Sequence, residues 1–380
     1  MSTSDSPRML IICGDSGGAN ALVQVIRQLN SDNKGKVLIF AYREAIEIMS
    51  KANFSFSVLD EKITDSGIQD LLQKCKPEII ITGTSVNYVD LEKNFIYSAR
   101  KLKIPCLAVL DFWANYSQRF SDDAGQLKYV PDKIAIMDEL AYSEMIAEGF
   151  NPDILIITGQ PVFDTLVGCK LNFNNETRQK IRNDYHIHTN ELFIVFVSQE
   201  LVKFFGEDES NPQFIGYTEH SVLNNLITVL EQISQDCKKQ LVLIIRPHPC
   251  EKPDKYKMFK SNFIRIIVSN HDDPRDIVMG ADLVIGMNTE LLVEACYLGC
   301  IVVSLQPGLR VKDFVPTNNN GYSIPIYSKE KILDTLKMTL MDPDIRSEMK
   351  KKVDRFKHDG HATNKVVNLI YQMIETRKLL

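Results

Sequence analysis

The sequence predicts an α/β protein made of two Rossmann-like domains that face each other across a cleft. Short strands that are apolar throughout alternate with amphipathic helical segments, which is typical of a parallel sheet covered by helices on both faces. The alternation occurs twice, once on each side of a polar stretch between residues 158 and 190. A chain of 380 residues is also long enough for two domains of roughly 150–200 residues each.

The first half of the chain has the order of repeated βα units. Its predicted strands cover residues 9–13, 36–41, 78–82, 105–110, 133–137 and 153–157. Its clearest predicted helices cover residues 19–30, 66–75 and 88–102, where apolar residues recur at helical spacing. Because helices separate the strands, the strands should run parallel in one sheet.

The second half repeats this order and ends in helices. Its predicted strands cover residues 192–197, 240–245, 264–268, 282–285 and 300–305. Its predicted helices cover residues 176–185, 219–236, 328–341, 343–356 and 362–378, and a long loop is expected over 198–217. These elements predict a second parallel sheet.

The break between the domains is marked by Gly159-Gln-Pro161 and by the polar run Asn172–Thr177. We therefore expect a first domain at residues 1–165 and a second at 190–358, with residues 359–380 as a C-terminal helical segment.

Composition limits the classes of function. The chain is 44% hydrophobic and 24% charged, as in ordinary globular proteins, and its net charge of −5 gives no support for nucleic-acid binding. Its eight cysteines include no Cys-x-x-Cys pair, so buried free thiols are expected. Neither an apolar signal region nor a run of about 18–20 apolar residues occurs. We expect a cytoplasmic protein with at most peripheral membrane contact.

The most informative segment, residues 281–307, has the pattern strand, tight turn, helix, strand. Residues 283–285 form a short apolar strand, Gly286 turns the chain, and Asn288 or Thr289 can cap the following helix. This pattern predicts a ligand site at the carboxyl end of the strand.

Glu290 and Glu294 lie four residues apart, so they share one face of that helix. A carboxylate just past the end of a strand can accept hydrogen bonds from two adjacent sugar hydroxyls, as a bound ribose requires. A nucleotide site is therefore the first hypothesis, with Asn288, Thr289, Glu290 and Glu294 as its residues.

The segment resembles the nucleotide-sugar half of GT-B glycosyltransferases and of the related UDP-N-acetylglucosamine 2-epimerases, through Ala-Asp-Leu-Val, Glu-Ala, Leu-Gly, Val-Val and Pro in that order. Residues 157–166 and the Gly-rich start at residues 11–20 are similar to further parts of these proteins. The resemblance implies a GT-B-like fold, with Glu294 holding the nucleotide ribose. It also implies that the second domain binds the nucleotide-sugar donor and the first binds the acceptor.

Gly14, Gly17 and Gly18 follow the first strand and open the next helix. Glycines here let the backbone approach a ligand and direct helix N-terminal amides at negative charge, although a tight turn in a Rossmann domain is an equal alternative. In the related lipid-linked peptidoglycan transferases a histidine follows the paired glycines. Because Ala19 stands there in this chain, that histidine does not carry over, and Asp15 or Asn20 is a candidate to take its place, with Asp15 as a base.

Arg246 and His248 follow the strong strand at 241–245, and Ser198 follows the strand at 192–197. An arginine fork can bind phosphate oxygens, and a histidine can hydrogen-bond or protonate a leaving phosphate. We expect Arg246 and Ser198 to bind the donor and His248 to take part in catalysis. The His-Pro pair resembles the nucleotide motif of bacterial sialyl- and Kdo-transferases. Glu219, at a helix start, is expected to be a solvated cap.

The only tryptophan, Trp113, lies in an aromatic loop after the strand at 105–110. Such a loop suits sugar recognition: Trp113 offers a ring for stacking, Arg119 can bind hydroxyls or a carboxylate, and Asp111 is a candidate general base. The alternative is that the aromatic side chains anchor the loop to the domain.

No Asp-x-Asp stands in a loop after a strand, so we expect no metal and no cofactor besides the donor itself. The favoured function is a metal-independent glycosyltransferase that moves a sugar from a nucleotide-sugar to an acceptor hydroxyl. The acceptor would be a glycan, lipid-linked or small molecule in bacterial-type glycan or polysaccharide biosynthesis.

Two alternatives remain. One is a UDP-N-acetylglucosamine 2-epimerase. The sequence Gly83-Thr84-Ser85 argues against it, because that family has Gly-Asp-Thr at this place. The other is a non-catalytic nucleotide-sugar-binding protein, which would keep Glu294 but tolerate any residue at Asp15 and Asp111.

Overall fold

A computed structural model describes residues 7–86, 90–249, 251–270, 273–356 and 358–378. The first two residues of the predicted helix 88–102 and one of the cysteines, Cys250, lie outside these ranges. The chain divides into two compact units. The N-terminal unit extends from the first strand to Thr165 and includes the segment from His358 onward, and the C-terminal unit is the chain between them.

The N-terminal unit is a parallel sheet of seven strands in the order β3-β2-β1-β4-β5-β6-β7. In chain order its elements are β1 (Arg8–Cys13), α1 (Ser16–Asp32), β2 (Lys36–Ala41), α2 (Glu44–Lys51), β3 (Ser57–Val58), α3 (Asp65–Cys75), β4 (Ile79–Thr82), α4 (Leu91–Lys101), β5 (Cys106–Val109), β6 (Lys133–Ile136), α5 (Glu139–Ala147) and β7 (Leu155–Ile157).

The C-terminal unit is a parallel sheet of six strands in the order β10-β9-β8-β11-β12-β13. The chain continues through α6 (Asp164–Asn172), α7 (Asn175–Asp184), β8 (Leu192–Val197), α8 (Leu201–Phe205), α9 (Glu219–Cys237), β9 (Leu241–Arg246), β10 (Arg265–Val268), α10 (Pro274–Gly280), β11 (Leu283–Gly286), α11 (Glu290–Tyr297), β12 (Val302–Leu305), α12 (Pro316–Asn319), β13 (Ile324–Ile326), α13 (Ile332–Met341) and α14 (Pro343–Val353).

The last helix, α15 (Ala362–Lys378), packs in the N-terminal unit. Its apolar face joins the core formed by β1 and α1, and the Tyr371 hydroxyl donates to Asp32 Oδ2 at 2.9 Å. The Asp164 carboxylate accepts from the backbone amides of Ala362 and Thr363 at 3.1 and 2.7 Å, which satisfies donors at the start of the helix.

The predicted fold class of two Rossmann-like α/β domains is confirmed, since each unit is a parallel sheet with interleaved helices. All eleven predicted strands are present. The sequence missed β3 and β13, which are edge strands of two and three residues. β13 contains Pro325, which an edge strand tolerates because it needs no donor there. The predicted loop at 198–217 contains α8.

The strand register places the candidate residues at the carboxyl edge of each sheet. In the N-terminal unit Ile12 pairs with Thr82, so the residues that follow β1 and β4 are neighbours. In the C-terminal unit Val197 pairs with both Arg246 and Gly286. The strand order reverses between β1 and β4 and again between β8 and β11, and open α/β sheets bind ligands at such switch points.

Candidate functional site

The three glycines after β1 are crowded by protein atoms. A Cβ on Gly14 would lie 2.1 Å from the Tyr42 ring, and a Cβ on Gly17 would lie 2.1 Å from Asp111 Oδ2. A Cβ on Gly18 would lie 3.0 Å from the backbone nitrogen of Thr84. These contacts account for the glycines by packing alone, as the alternative interpretation of a tight turn requires.

Asp111 connects several loops at this edge. Its Oδ1 accepts hydrogen bonds from the Thr84 hydroxyl at 2.6 Å and from Arg119 Nη1 at 2.6 Å. Its backbone carbonyl accepts from Gln160 Nε2 at 2.6 Å. The side chains of Asp111 and Arg119 are 13% and 6% exposed, so this ion pair is largely shielded from water. The oxygen that faces Gly17, Oδ2, is the atom through which Asp111 would act as a base.

A buried carboxyl that the sequence analysis did not identify lies beneath Gly14. Glu92 Oε1 accepts from the Gly14 amide at 2.8 Å, and Glu92 Oε2 accepts from the Tyr42 hydroxyl. The Leu91 amide in turn donates to the Tyr42 oxygen at 3.0 Å. Desolvation, followed by the charge of Asp90, raises the pKa of Glu92 to about 8. Glu92 is therefore mainly protonated at pH 7.

Asp15 stands at the N-cap of α1, but its side chain makes no capping hydrogen bond there. Its carboxylate instead pairs with the Arg43 guanidinium at 3.2 Å. Arg43 has a φ of 52° and a ψ of −133°, a backbone conformation that non-glycine residues rarely adopt. The predicted base Asp15 is thus held in an ion pair close to the protonated Glu92.

Replacing Glu92 by glutamine is expected to flatten the pH dependence of the free energy of unfolding between about pH 4.5 and 8. The pKa of Glu92 is about 8 in the folded chain and 4.5 ordinarily, so the folded state binds more protons in this range. The stability of the unsubstituted protein should then fall as pH rises, by at most about 1.4 kcal/mol per pH unit. Urea unfolding at pH 5, 6, 7 and 8 measures this slope in both proteins, and equal slopes would contradict the assignment.

Trp113 is buried, with 4% of its surface exposed. Its indole nitrogen donates to Asp138 Oδ2 at 2.8 Å, and its ring centroid lies 6.1 Å from that of Phe163. No face of the ring is open for a sugar in this conformation. The contacts instead match the alternative interpretation, in which the aromatic side chain anchors the loop.

In the C-terminal unit, residues after β8 and β11 meet at the switch point. The Asn288 amide donates to Gln199 Oε1 at 3.0 Å, which connects the two loops. Thr289 is the N-cap of α11, as predicted, and its hydroxyl accepts from the Leu291 amide at 3.4 Å. Within the described part of the chain, Asn288 Oδ1 is buried without a hydrogen-bond donor, so it can accept from a ligand or a water molecule.

Arg246 and His248 lie at the end of β9. Arg246 Nη1 is 3.4 Å from the carbonyl oxygen of Ser269, and the His248 amide donates to Glu251 Oε2 at 2.8 Å. Partial desolvation lowers the pKa of the His248 imidazole below its ordinary value. The ring is therefore mainly neutral at pH 7 and suited to donate a hydrogen bond.

A buried charge network supports these loops. Lys255 Nζ contacts Glu219 Oε1 at 2.5 Å and Glu251 Oε1 at 2.7 Å. The Tyr256 hydroxyl lies 2.7 Å from Glu251 Oε1 and 2.5 Å from the Ser198 hydroxyl. Glu219 is fully buried, so the expectation of a solvated cap is wrong. Ser198 is also buried, and its hydroxyl is bound within this network.

Glu294 lies one turn beyond the first residue of α11, Glu290, and is buried. Its carboxylate is paired with Arg275 of α10. Arg275 Nε donates to Oε2 at 2.9 Å, and Nη2 donates to Oε1 at 3.3 Å. The predicted ribose-binding carboxylate is therefore held by a two-point arginine contact.

Tyr42, Glu92 and Arg275 were not predicted from the sequence to be near the candidate residues. Glu92 and Arg275 lie on helices. The other candidates were found because ligand-binding residues of α/β sheets follow the carboxyl ends of strands, and this rule does not apply to helix residues.

Two cavities in the described part of the chain are lined by none of the predicted site residues. A cavity of about 450 Å³ in the N-terminal unit is lined by Cys106, Asp132 and Ile154, near the amino ends of β5, β6 and β7. A cavity of about 380 Å³ in the C-terminal unit is lined by Arg178, Arg182 and Asp282, among others.

Within the described ranges, no three His, Cys, Asp or Glu side chains gather as a metal site. None of the helices in these ranges has the length and apolar character needed to cross a membrane. The cysteines described there are free thiols, and Cys13, Cys106, Cys296 and Cys300 are buried.

Comparison with known proteins agrees with the architecture. No protein-family model and no curated protein matches the chain. Among solved structures, MnaA of S. aureus with UDP is similar at a TM-score of 0.70 and 15% identity, covering 96% of each chain. The UDP-GlcNAc 2-epimerase of Neisseria meningitidis bound to UDP-GlcNAc has a TM-score of 0.67 at 14% identity, over 96% of this chain and 100% of that one. MurG of Acinetobacter baumannii has a TM-score of 0.62 at 15% identity, over 96% and 99%.

At these identities the likeness shows the fold. The chain has the same fold as these solved structures, with two parallel-sheet α/β domains.

Proposed function

We propose that this protein is an enzyme acting on a nucleotide-activated sugar, and that its C-terminal unit binds the nucleotide. The supporting observation is the switch point of the second sheet, where Asn288 and Thr289 open α11 and Glu294 follows. The first amides of a helix favour phosphate oxygens, and a carboxylate can accept from two neighbouring ribose hydroxyls. Fold and site thus support the same ligand class.

The solved structures also suggest which nucleotide to test first. MnaA of S. aureus was solved with UDP, and the N. meningitidis epimerase was solved with UDP-GlcNAc. A uridine nucleotide-sugar is therefore the first donor to examine in this chain.

The proposed reaction is glycosyl transfer in glycan or polysaccharide synthesis. An acceptor hydroxyl attacks the anomeric carbon of the donor sugar, and the bond from that carbon to the diphosphate oxygen breaks. Asp111, through Oδ2, or Asp15 would take the hydroxyl proton. Arg246 and the neutral His248 would donate hydrogen bonds to the departing phosphate. The acceptor would bind the N-terminal unit.

A second candidate is 2-epimerisation of UDP-N-acetylglucosamine. It is favoured by the TM-scores of 0.67 for the N. meningitidis epimerase and 0.69 for a putative epimerase of Listeria monocytogenes, against 0.62 for MurG. Against it, Thr84 stands where the epimerase pattern has an acidic residue, and its hydroxyl is bound to Asp111. We therefore propose transfer first and test both reactions.

The Glu294→Ala substitution is expected to weaken nucleotide binding by about 1–3 kcal/mol, because ribose hydroxyls lose a charged hydrogen-bond partner. The parent protein is first screened by thermal shift against UDP, CMP, GDP and dTDP. A ligand at about a hundred times its dissociation constant stabilises the fold by about 2.7 kcal/mol. Titration calorimetry of the best nucleotide then compares the two proteins.

Glu348→Ala is the matched control, since Glu348 is an exposed carboxylate on α14 of the same unit. An unchanged dissociation constant in Glu294→Ala would remove the ribose assignment, and no response to any nucleotide would remove the proposal. Proton NMR of the same nucleotide-sugar mixtures separates the reactions. An epimerase changes the sugar configuration without an acceptor, whereas a transferase needs the acceptor.

A further inference from the structure

Arg275 and Glu294 form the most specific charged contact near the proposed nucleotide site. Arg275 is the second residue of α10, and Glu294 lies in the middle of α11. The two donated hydrogen bonds, at 2.9 and 3.3 Å, place one guanidinium edge against both carboxylate oxygens. The side chains of Arg275 and Glu294 are 24% and 11% exposed.

This contact uses only part of the hydrogen-bonding capacity of Glu294. An ionised carboxylate has about four lone-pair sites on its two oxygens, and the arginine fork occupies one site on each. The remaining sites can accept from two further donors. A pair of adjacent hydroxyls, such as the 2′ and 3′ hydroxyls of a ribose, presents two donors at a suitable spacing.

The contact also fixes the carboxylate itself. Because an arginine fork is planar and rigid, a two-point contact sets the plane of the carboxylate, which a single-point ammonium contact does not. Without Arg275 the plane of the Glu294 carboxylate would be free to rotate.

We propose that Arg275 is a positioning residue that holds the Glu294 carboxylate in a fixed orientation, so that it accepts from both ribose hydroxyls and discriminates against 2′-deoxyribose. This inference rests on the proposed function, since it requires that Glu294 binds the ribose. Arg275 itself touches no substrate in this scheme.

The test compares UDP with 2′-deoxy-UDP by titration calorimetry, with the cytidine and guanosine diphosphate pairs measured in parallel. The parent protein should prefer the ribonucleotide by roughly tenfold or more, the equivalent of one hydrogen bond to a charged group. Arg275→Lys, which keeps the charge but loses the fork, should reduce this preference to about threefold or less. Glu294→Gln should reduce it similarly, and the double variant should show no further reduction.

The ratio of the dissociation constants for UDP and 2′-deoxy-UDP is informative, because a merely structural role of Arg275 would change the affinity for both ligands equally. If Glu294→Gln leaves the UDP affinity unchanged, the ribose assignment of Glu294 fails and with it the role of Arg275, whereas the proposed function fails only if the parent protein binds no nucleotide. If Glu294→Gln removes the preference but Arg275→Lys retains it, only the positioning role is overturned. Tighter UDP binding by Arg275→Lys would show that the arginine competes with the ribose, which also overturns the role. Circular dichroism confirms folding, and Arg275→Gln replaces the lysine variant if that variant is unfolded.

Discussion

Replacing Arg119 by methionine is expected to lower the free energy of unfolding by about 3–5 kcal/mol, because the substitution leaves the Asp111 carboxylate shielded from water without its positive partner. Arg119 Nη1 donates to both Asp111 Oδ1 and the Thr84 hydroxyl, and Nε donates to the carbonyl oxygen of Ala114 at 3.1 Å. Methionine preserves much of the aliphatic packing but none of these bonds. Urea denaturation at pH 7 measures the loss.

Lys51→Met is the matched control, because Lys51 pairs with Glu47 on the surface of α2 with both side chains more than 70% exposed. Exposed pairs of this kind contribute little to the free energy of unfolding, because water screens the two charges. The double variant Asp111→Asn with Arg119→Met should recover part of the loss, since it removes the uncompensated charge. Similar losses for Arg119→Met and Lys51→Met would show that the Asp111 pair is effectively solvated.

The ion pair with Arg119 affects how the proposed role of Asp111 as a base can be tested. One oxygen already accepts from Arg119 and Thr84, and the other faces Gly17 at the start of α1. The residue therefore has a structural role whether or not it also removes a proton. A loss of turnover in Asp111→Asn must be compared with its effect on stability before it is assigned to catalysis.

The strands could be predicted from the sequence because burial on both faces of a parallel sheet makes them continuous apolar runs. Short helices are harder to predict: α2 has eight residues and α5 has nine, so each has little more than two turns in which a helical period can show. β3, with two residues, is too short to give an alternating pattern.

The placement of the candidate residues at a sheet edge could be predicted wherever the strands could, since residues that follow the carboxyl ends of parallel strands lie at one edge of the sheet. Their partners were not. Glu92 reaches Gly14 across 78 residues of sequence, and Arg275 reaches Glu294 across 19. A single sequence contains no signal that pairs such residues, and it did not indicate that Trp113 and Ser198 are buried.

The Trp113→Ala substitution is expected to lower the free energy of unfolding by about 3–5 kcal/mol, because it opens a cavity in the N-terminal unit. It also leaves Asp138 Oδ2 without the indole donor, while Asp138 Oδ1 still caps α5 through the Ala141 amide at 2.9 Å. The stability of Trp113→Phe should lie between those of the parent protein and Trp113→Ala, since phenylalanine keeps an aromatic ring and loses only the N–H donor and part of the volume. Thermal and urea unfolding measure both variants.

Phe204→Ala serves as the control, because Phe204 on α8 is 68% exposed and its removal should change stability by less than about 0.5 kcal/mol. The folded fraction of Trp113→Ala should bind nucleotide-sugar with the affinity of the parent protein, since the ring is enclosed by Phe163 and Phe112. The opposite pattern, an almost unchanged stability with weakened sugar binding, would mean that the loop opens in solution. Trp113 would then stack on the sugar, because only an exposed ring can be removed without a packing cost.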